Sequence, residues 1–140
     1  MSTVRTIIVG VDGSKTSLAA LRWTVGLAQA LDARVVAVHA LGLLDRLAPD
    51  SPMVAAQPHR DQIRTLFEEV WCAPLVESEL SFERQLIDGN PVSVMLGVIE
   101  TEHCDLVVVG ARGSGEAPDH VLGSTSTQLA LRSDTPVTIF

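Results

Sequence analysis

Lysine occurs once, at Lys15, and the nine arginines are scattered along the 140 residues. With a net charge of −7, most of the surface repels a nucleic-acid backbone, whose non-specific binding needs clustered basic side chains. No nucleic-acid partner is expected. An anionic ligand has to find a local positive field, most simply a helix N-terminus or a set of backbone amides. Cysteine is scarce too. Cys72 and Cys104 stand far apart with no CxxC and no Cys/His cluster, which argues against a disulfide framework or a zinc site. Two buried, reduced thiols are expected instead. No apolar run reaches the ~18 residues of a membrane span. The first apolar run, Ile7 to Val11, is too short for a signal-peptide core and stops at Asp12, so a cytoplasmic protein without a membrane partner is expected. GxxxxGK[ST] is missing, which excludes a Walker-type loop. GxGxxG is missing after the first strand, which disfavours the usual dinucleotide fold.

What remains is an ordinary globular chain, 46% hydrophobic and 19% charged, which is too apolar for disorder. Its length predicts one domain over 1–140. Thr6 to Val11 reads as a strand buried on both faces, followed by the turn Asp12-Gly13-Ser14. Ser14 or Ser17 can cap a helix whose apolar stripe is Leu18, Leu21, Val25 and Ala28. Val35 to Ala40 is a second buried strand. A loop rich in Gly and Pro follows from Gly42 to Pro58, and its apolar residues (Leu43, Leu44, Leu47, Met53, Val54) suit packing on the body. A helix is predicted from about Arg60 to Cys72, with Ile63, Leu66, Phe67 and Val70 inward. Leu80 to Ile87 is a more polar strand, suited to a sheet edge. Asp88-Gly89-Asn90-Pro91 turns into a helix with Val92, Met95, Leu96 and Ile99 inside. Asp105 to Gly110 is the clearest buried strand, Ser124 to Arg132 a helix, and Val137 to Phe140 a last strand. This β-α-β-α-β-α-β-α-β alternation predicts a parallel α/β sheet with helices on both faces.

Four of the ten glycines, Gly110, Gly113, Gly115 and Gly123, fall between positions 110 and 123. An even spread would place one there, so the segment is enriched. It opens after the most apolar strand and closes where a helix begins at Ser124. Glycines allow close approach of the backbone to a phosphate, and the following helix offers unpaired amides and the positive end of its dipole. Ser124, Thr125 and Ser126 add hydroxyls, and Arg112 is the segment's one cation. A glycine-rich connection with a serine cap and no ligand accounts for the same residues; the strand–loop–helix context favours the phosphate reading. His39, at the end of the second strand, reads as a satisfied, partly buried histidine. No Ser, Cys or His arrangement suggests a nucleophile with its base.

Gly110, two residues, Gly113, nine residues and Gly123-Ser124 match G-x2-G-x9-G-[S/T], the signature of the ATP-binding branch of the universal stress protein family. The chain resembles that family along its whole length: Ile8 to Ser14 at the first strand and turn, His39-Ala40 at the second strand, Gly89-Asn90-Pro91 before the third helix, Asp105 to Gly110 at the fourth strand and Pro136-Val137 at the fifth. The resemblance implies a doubly wound five-stranded parallel sheet of order 3-2-1-4-5, with the ligand at the carboxyl ends of strands 1 and 4, where the strand order reverses. It further implies ATP, or ADP or AMP, as the ligand, with Mg or Mn on the phosphates. Gly10 and Asp12 would lie along the adenosine, with Asp12 near the ribose or a metal-phosphate group. Ala40 would face the adenine. Gly110, Ala111, Arg112, Gly113, Ser114 and Gly115 would wrap the ribose and phosphates, and Gly123, Ser124, Thr125 and Ser126 would hold the phosphates. A regulatory module in stress response is expected, with little or no hydrolysis, and a homodimer built on the C-terminal strand. One departure stands out. The nine-residue spacer Ser114 to Leu122 holds Glu116 and Asp119 and no Lys or Arg, where family members often carry basic residues. Two other classes stay open: a phosphoryl- or nucleotidyl-transfer enzyme on the same fold, and an interaction module without a nucleotide.

Overall fold

The computed structural model describes residues 3–42, 56–112 and 122–140, with the side chains of 56–58 left aside. Strand β1 (Thr6–Gly10) is the centre of the sheet. Ile7, Ile8 and Val9 are fully buried, because helices cover both faces of a parallel sheet and leave no polar side for alternation. Ser14 caps α1 (Lys15–Leu31) by accepting the Ser17 amide. Strand β2 (Arg34–Leu41) follows. After it come α2 (Ala56–Thr65), a π-helical segment (Leu66–Trp71), the short α3 (Ala73–Val76) and β3 (Phe82–Asp88). Asn90 caps α4 (Pro91–Glu102), taking the amides of Val92 at 3.0 Å and Ser93 at 3.4 Å, with Pro91 in the first turn. Strand β4 (Leu106–Val109), α5 (Ser124–Arg132) and β5 (Val137–Ile139) complete the order.

All neighbouring strands are parallel, in the order β3-β2-β1-β4-β5, as expected. Val9 lies beside Ala37 and Val108, and Ile8 beside Val36 and Val107. The two residues point to opposite faces and found two cores. Ile7, Val9, Val35 and Val108 pack with Leu21 of α1, Phe67 and Leu75. Ile8, Val36, Val38 and Val107 pack with Met95 and Val98 of α4 and Leu129 of α5. At the far end from the strands' carboxyl termini, Arg34 joins Glu83 at 2.5 Å and Glu102 at 3.2 Å, and Gln85 donates to Glu102. The hydrogen bonds from Arg34 and then Gln85 hold the Glu102 carboxyl below its ordinary range. Both cysteines are free and buried. Burial pushes the thiol of Cys72 up to about 12 and that of Cys104 to about 11.

The structure corrects the second helical region in two ways. Its helix starts at Ala56, ahead of Arg60. Its inward face is not Leu66, Phe67 and Val70 together: Phe67 is fully buried, while Leu66 and Val70 are 41% and 58% exposed. The reason is the π turn, in which the Cys72 amide bonds the Phe67 carbonyl five residues back at 3.0 Å. That register places Phe67 and Cys72 on one face and turns Val70 out. In α1 the buried positions are Ser17, Ala20, Leu21, Thr24 and Ala28, with Leu18 and Val25 only half-buried. Thr24 tolerates burial because its hydroxyl donates to the Ala20 carbonyl at 2.8 Å. In α4, Val94 and Val98 are buried and Leu96 and Ile99 half-buried. The apolar residues expected to pack from the 42–58 connection, Leu43 to Val54, lie outside the described residues.

Candidate site at the carboxyl ends of β1 and β4

Strand order reverses between β1 and β4: β1 leads into α1 on one face, and β4 leads towards α5 on the other. Such a reversal of strand order is where open α/β sheets take ligands, at the carboxyl ends of the strands. Gly10 closes β1 on the face of α4. A Cβ on it would stand 3.3 Å from Val109 and 3.6 Å from Met95 Cε, so glycine makes room there for these two side chains. Asp12 follows. Its backbone amide donates to Ser17 Oγ at 3.0 Å and its Oδ1 accepts the Ser14 amide at 2.9 Å, so the carboxylate is fixed on the turn it helps to form. Ala40 lies one strand away, on β2 opposite Ile87, half-buried against the α4 face.

The glycine-rich segment begins at Gly110, whose α-carbon is pressed against the first turn of α1. A Cβ here would come within 2.7 Å of Thr16 Oγ1 and 2.9 Å of the Ser17 amide nitrogen. The Thr16 hydroxyl donates to the Arg112 carbonyl at 2.5 Å, so the loops leaving β1 and β4 are tied together. Ala111 forms the loop base: its amide donates to the Phe140 carbonyl at 2.8 Å, and its carbonyl accepts the Gly123 amide at 2.6 Å and the Ser126 hydroxyl at 2.9 Å. Gly113, Ser114 and Gly115 lie outside the described residues, as do Glu116 and Asp119. Gly123 then caps α5 without any side-chain bond to the first turn. The first-turn amides of a nine-residue helix, those of Ser124, Thr125 and Ser126, therefore have no side-chain acceptor at the cap. Ser124 is exposed and Thr125 half-buried. The Ser126 side chain is 2% exposed and also lies 3.0 Å from the Gly123 carbonyl, so its hydroxyl serves the loop base, and only its amide belongs to the helix end.

Contacts in this region that the sequence does not announce come from Thr16, Ser17, Trp71 and His39. Thr16 and Ser17 meet Gly110, Arg112 and Asp12 through the fold. Trp71, from the π segment, lies across Gly13, and His39 donates from Nδ1 to the Val11 carbonyl at 2.6 Å. Among the described residues, no three His, Cys, Asp or Glu side chains cluster as a metal site, and no helix is long and apolar enough to cross a membrane.

A universal stress protein of Mycobacterium tuberculosis is 28% identical over 142 residues, covering 98% of this chain and 48% of its own. The chain thus spans about half the length of that relative. A solved universal stress protein in complex with cAMP superposes with a TM-score of 0.75 at 26% identity, covering 99% of this chain and 98% of the other. An Arabidopsis thaliana family protein with AMP bound shares the fold, with a TM-score of 0.68 at 20% identity and coverage of 97% and 90%. The model of the universal stress protein family matches residues 3–140, and the chain belongs to that family.

Proposed function

We propose that this protein binds an adenine nucleotide, ATP or its di- or monophosphate, at the carboxyl ends of β1 and β4, and uses it as a regulatory ligand in stress response. The observation that carries this reading is the uncapped N-terminus of α5, closed onto the end of β4 through the Gly123–Ala111 bond and set at the strand ends that also hold Asp12. The amides of Ser124 to Ser126 suit phosphate oxygens, since helix ends of this kind favour anions. Asp12 suits a ribose hydroxyl or a metal ion carried on the phosphates, Mg or Mn. Gly10 and Ala40, small residues at the strand ends on the α4 face, suit the adenosine. The donor set thus fits a nucleotide brought with its own cation. The cAMP complex of a relative 26% identical supports the adenine class.

Hydrolysis is expected to be slow or absent, because Asp12 already accepts the Ser14 amide and, among the described residues, no second carboxylate or histidine is paired with it in the manner of a general base. The protein is further proposed to form a homodimer through β5. This strand lies at the sheet edge, with Phe140 beyond it 44% exposed and 6.0 Å from the Trp23 ring. An apolar edge of this kind is a template for another strand, and two-fold pairing closes it.

Glu116 and Asp119, with no cation in the spacer, favour a second reading, an interaction module without a nucleotide. Mass spectrometry of the gently denatured protein, with calorimetry against ATP and adenosine, decides between them. Co-purified or titratable adenine nucleotide is expected. If neither ligand binds at millimolar concentration, the nucleotide reading falls. Steady-state phosphate release from ATP checks the enzymatic alternative, and sustained turnover would establish it.

A further inference from the structure

Gly13 has a positive φ of +83°, and a Cβ built on it would stand 2.6 Å from Cε2, 2.7 Å from Cζ2 and 2.9 Å from Nε1 of Trp71. The indole therefore rests directly on the backbone of the β1–α1 turn, on a surface that only glycine presents. The same indole meets His39 edge-on, with ring centroids 5.1 Å apart. His39 in turn holds the Val11 carbonyl. Val11 and Gly13 flank Asp12, so one aromatic pair fixes the chain on both sides of that carboxylate. Trp71 reaches this place because it ends the π turn. Phe67 and Cys72 take the buried face there, and Trp71 is left half-buried at its margin.

We infer that Trp71 is a positioning residue: with His39 it clamps the Asp12-Gly13-Ser14 turn and so sets where the Asp12 carboxylate stands. The consequence for ligand affinity rests on the nucleotide reading above; the clamp itself does not. A side chain at the edge of a core that merely filled space would loosen its surroundings evenly when removed. A clamp loosens the turn selectively, and a smaller aromatic ring restores it in part.

Two measurements test this. In the unliganded protein, amide exchange is compared among the parent, Trp71→Ala and Trp71→Phe. Exchange at Asp12 and Ser14 is expected to speed at least tenfold in Trp71→Ala, with Ile8 and Val36 unchanged, and to return most of the way in Trp71→Phe. Unchanged exchange at the turn, or equal acceleration throughout the sheet, overturns the clamp. ATP affinity is then measured by calorimetry: a loss of about tenfold in Trp71→Ala, ~1.4 kcal/mol, and a smaller loss in Trp71→Phe are expected. Parent-like affinity in a Trp71→Ala protein whose turn has loosened overturns the positioning of Asp12 for the nucleotide. A parent protein that binds no ATP refutes the proposed function, and the exchange pattern alone then decides the clamp.

Discussion

Replacing Gly110 with alanine puts a methyl group where the structure has no room. Its Cβ would lie 2.7 Å from Thr16 Oγ1, 2.9 Å from the Ser17 amide nitrogen and 3.0 Å from the Thr16 carbonyl carbon. The hydroxyl can turn aside, but the other two atoms are backbone in the first turn of α1. Since non-bonded heavy atoms settle near 3.5–4.0 Å, either α1 or the end of β4 must move by about 1 Å. Overpacking of this kind costs ~1–3 kcal/mol. With a urea slope of ~1–3 kcal/mol per molar, the unfolding midpoint should fall by roughly 1 M. The same methyl at Gly97 in α4 meets nothing within 4 Å, and there it should raise stability by ~0.5–1 kcal/mol through helix propensity alone. The two substitutions are thus predicted to have opposite signs. Thr16→Ala removes the hydroxyl contact but also the bond to the Arg112 carbonyl, so the double variant with Gly110→Ala should lose less than the sum of the two single losses. A Gly110→Ala midpoint equal to or above the parent would refute the close packing of β4 on α1.

Four other outcomes are expected. Gly123→Val should cut ATP affinity at least tenfold, ~1.4 kcal/mol, beside a loss of stability on the order of 1 kcal/mol from the poorer N-cap; unchanged affinity by calorimetry would put the phosphates elsewhere. Glu116→Gln with Asp119→Asn should tighten ATP but not adenosine, by on the order of 1 kcal/mol and less in high salt; equal effects on both ligands would mean that the acids face away from the phosphates. Ile139→Lys should move the protein from dimer to monomer in light scattering at micromolar concentration, and a dimer that persists would exclude a β5 interface. Glu102→Gln should lower stability at neutral pH. Because the folded carboxyl titrates below its ordinary value, its contribution is present above ~4.3 and lost as pH falls through the depressed range. The parent and variant curves should therefore converge in acid, and curves that stay parallel would remove the Arg34 pairing as the cause.

The centre of the sheet was legible because its inner strands are continuous apolar runs. Ile7 to Val9 and Val107 to Val109 admit no reading with a wet face, and the alternation with helices leaves a parallel sheet as the natural arrangement. Helix phase was harder to read. The spacing of Ile63, Leu66, Phe67 and Val70 follows an ordinary α-helix, and nothing in Leu66-Phe67-Glu68-Glu69-Val70-Trp71 announces an extra residue in the turn. That extra residue is set by burying Phe67 and Cys72 together, a tertiary demand. In α1 the buried face includes Ser17 and Thr24, two polar residues that a hydrophobic pattern passes over. The same limit applies to the site. Asp12, Gly110 and Ser124 stand at strand ends and a helix start, and such landmarks show in a sequence. Thr16 meets Arg112 across 96 residues, and Trp71, at the end of the π segment, meets Gly13 of the first turn. Contacts at that separation leave no local pattern.

The glycines of the loop signature do different work, and this bears on what the signature can mean. Gly110 is needed where it stands because α1 is packed against it, a requirement that exists with or without a ligand. Ala111 closes the loop base with backbone groups alone, which places no demand on side-chain identity. Gly123 has φ −67° and ψ 163°, extended dihedrals open to any residue, so the backbone gives no reason for glycine there. Serine, threonine, asparagine or aspartate would cap α5 at least as well by occupying its first-turn amides with a side-chain oxygen. A glycine at this position leaves those amides available to an outside acceptor. The first glycine of the signature is therefore explained by packing. On the proposed nucleotide reading, the last is accounted for by an anion at the end of α5, which is why Gly123→Val, and not Gly110→Ala, tests that reading.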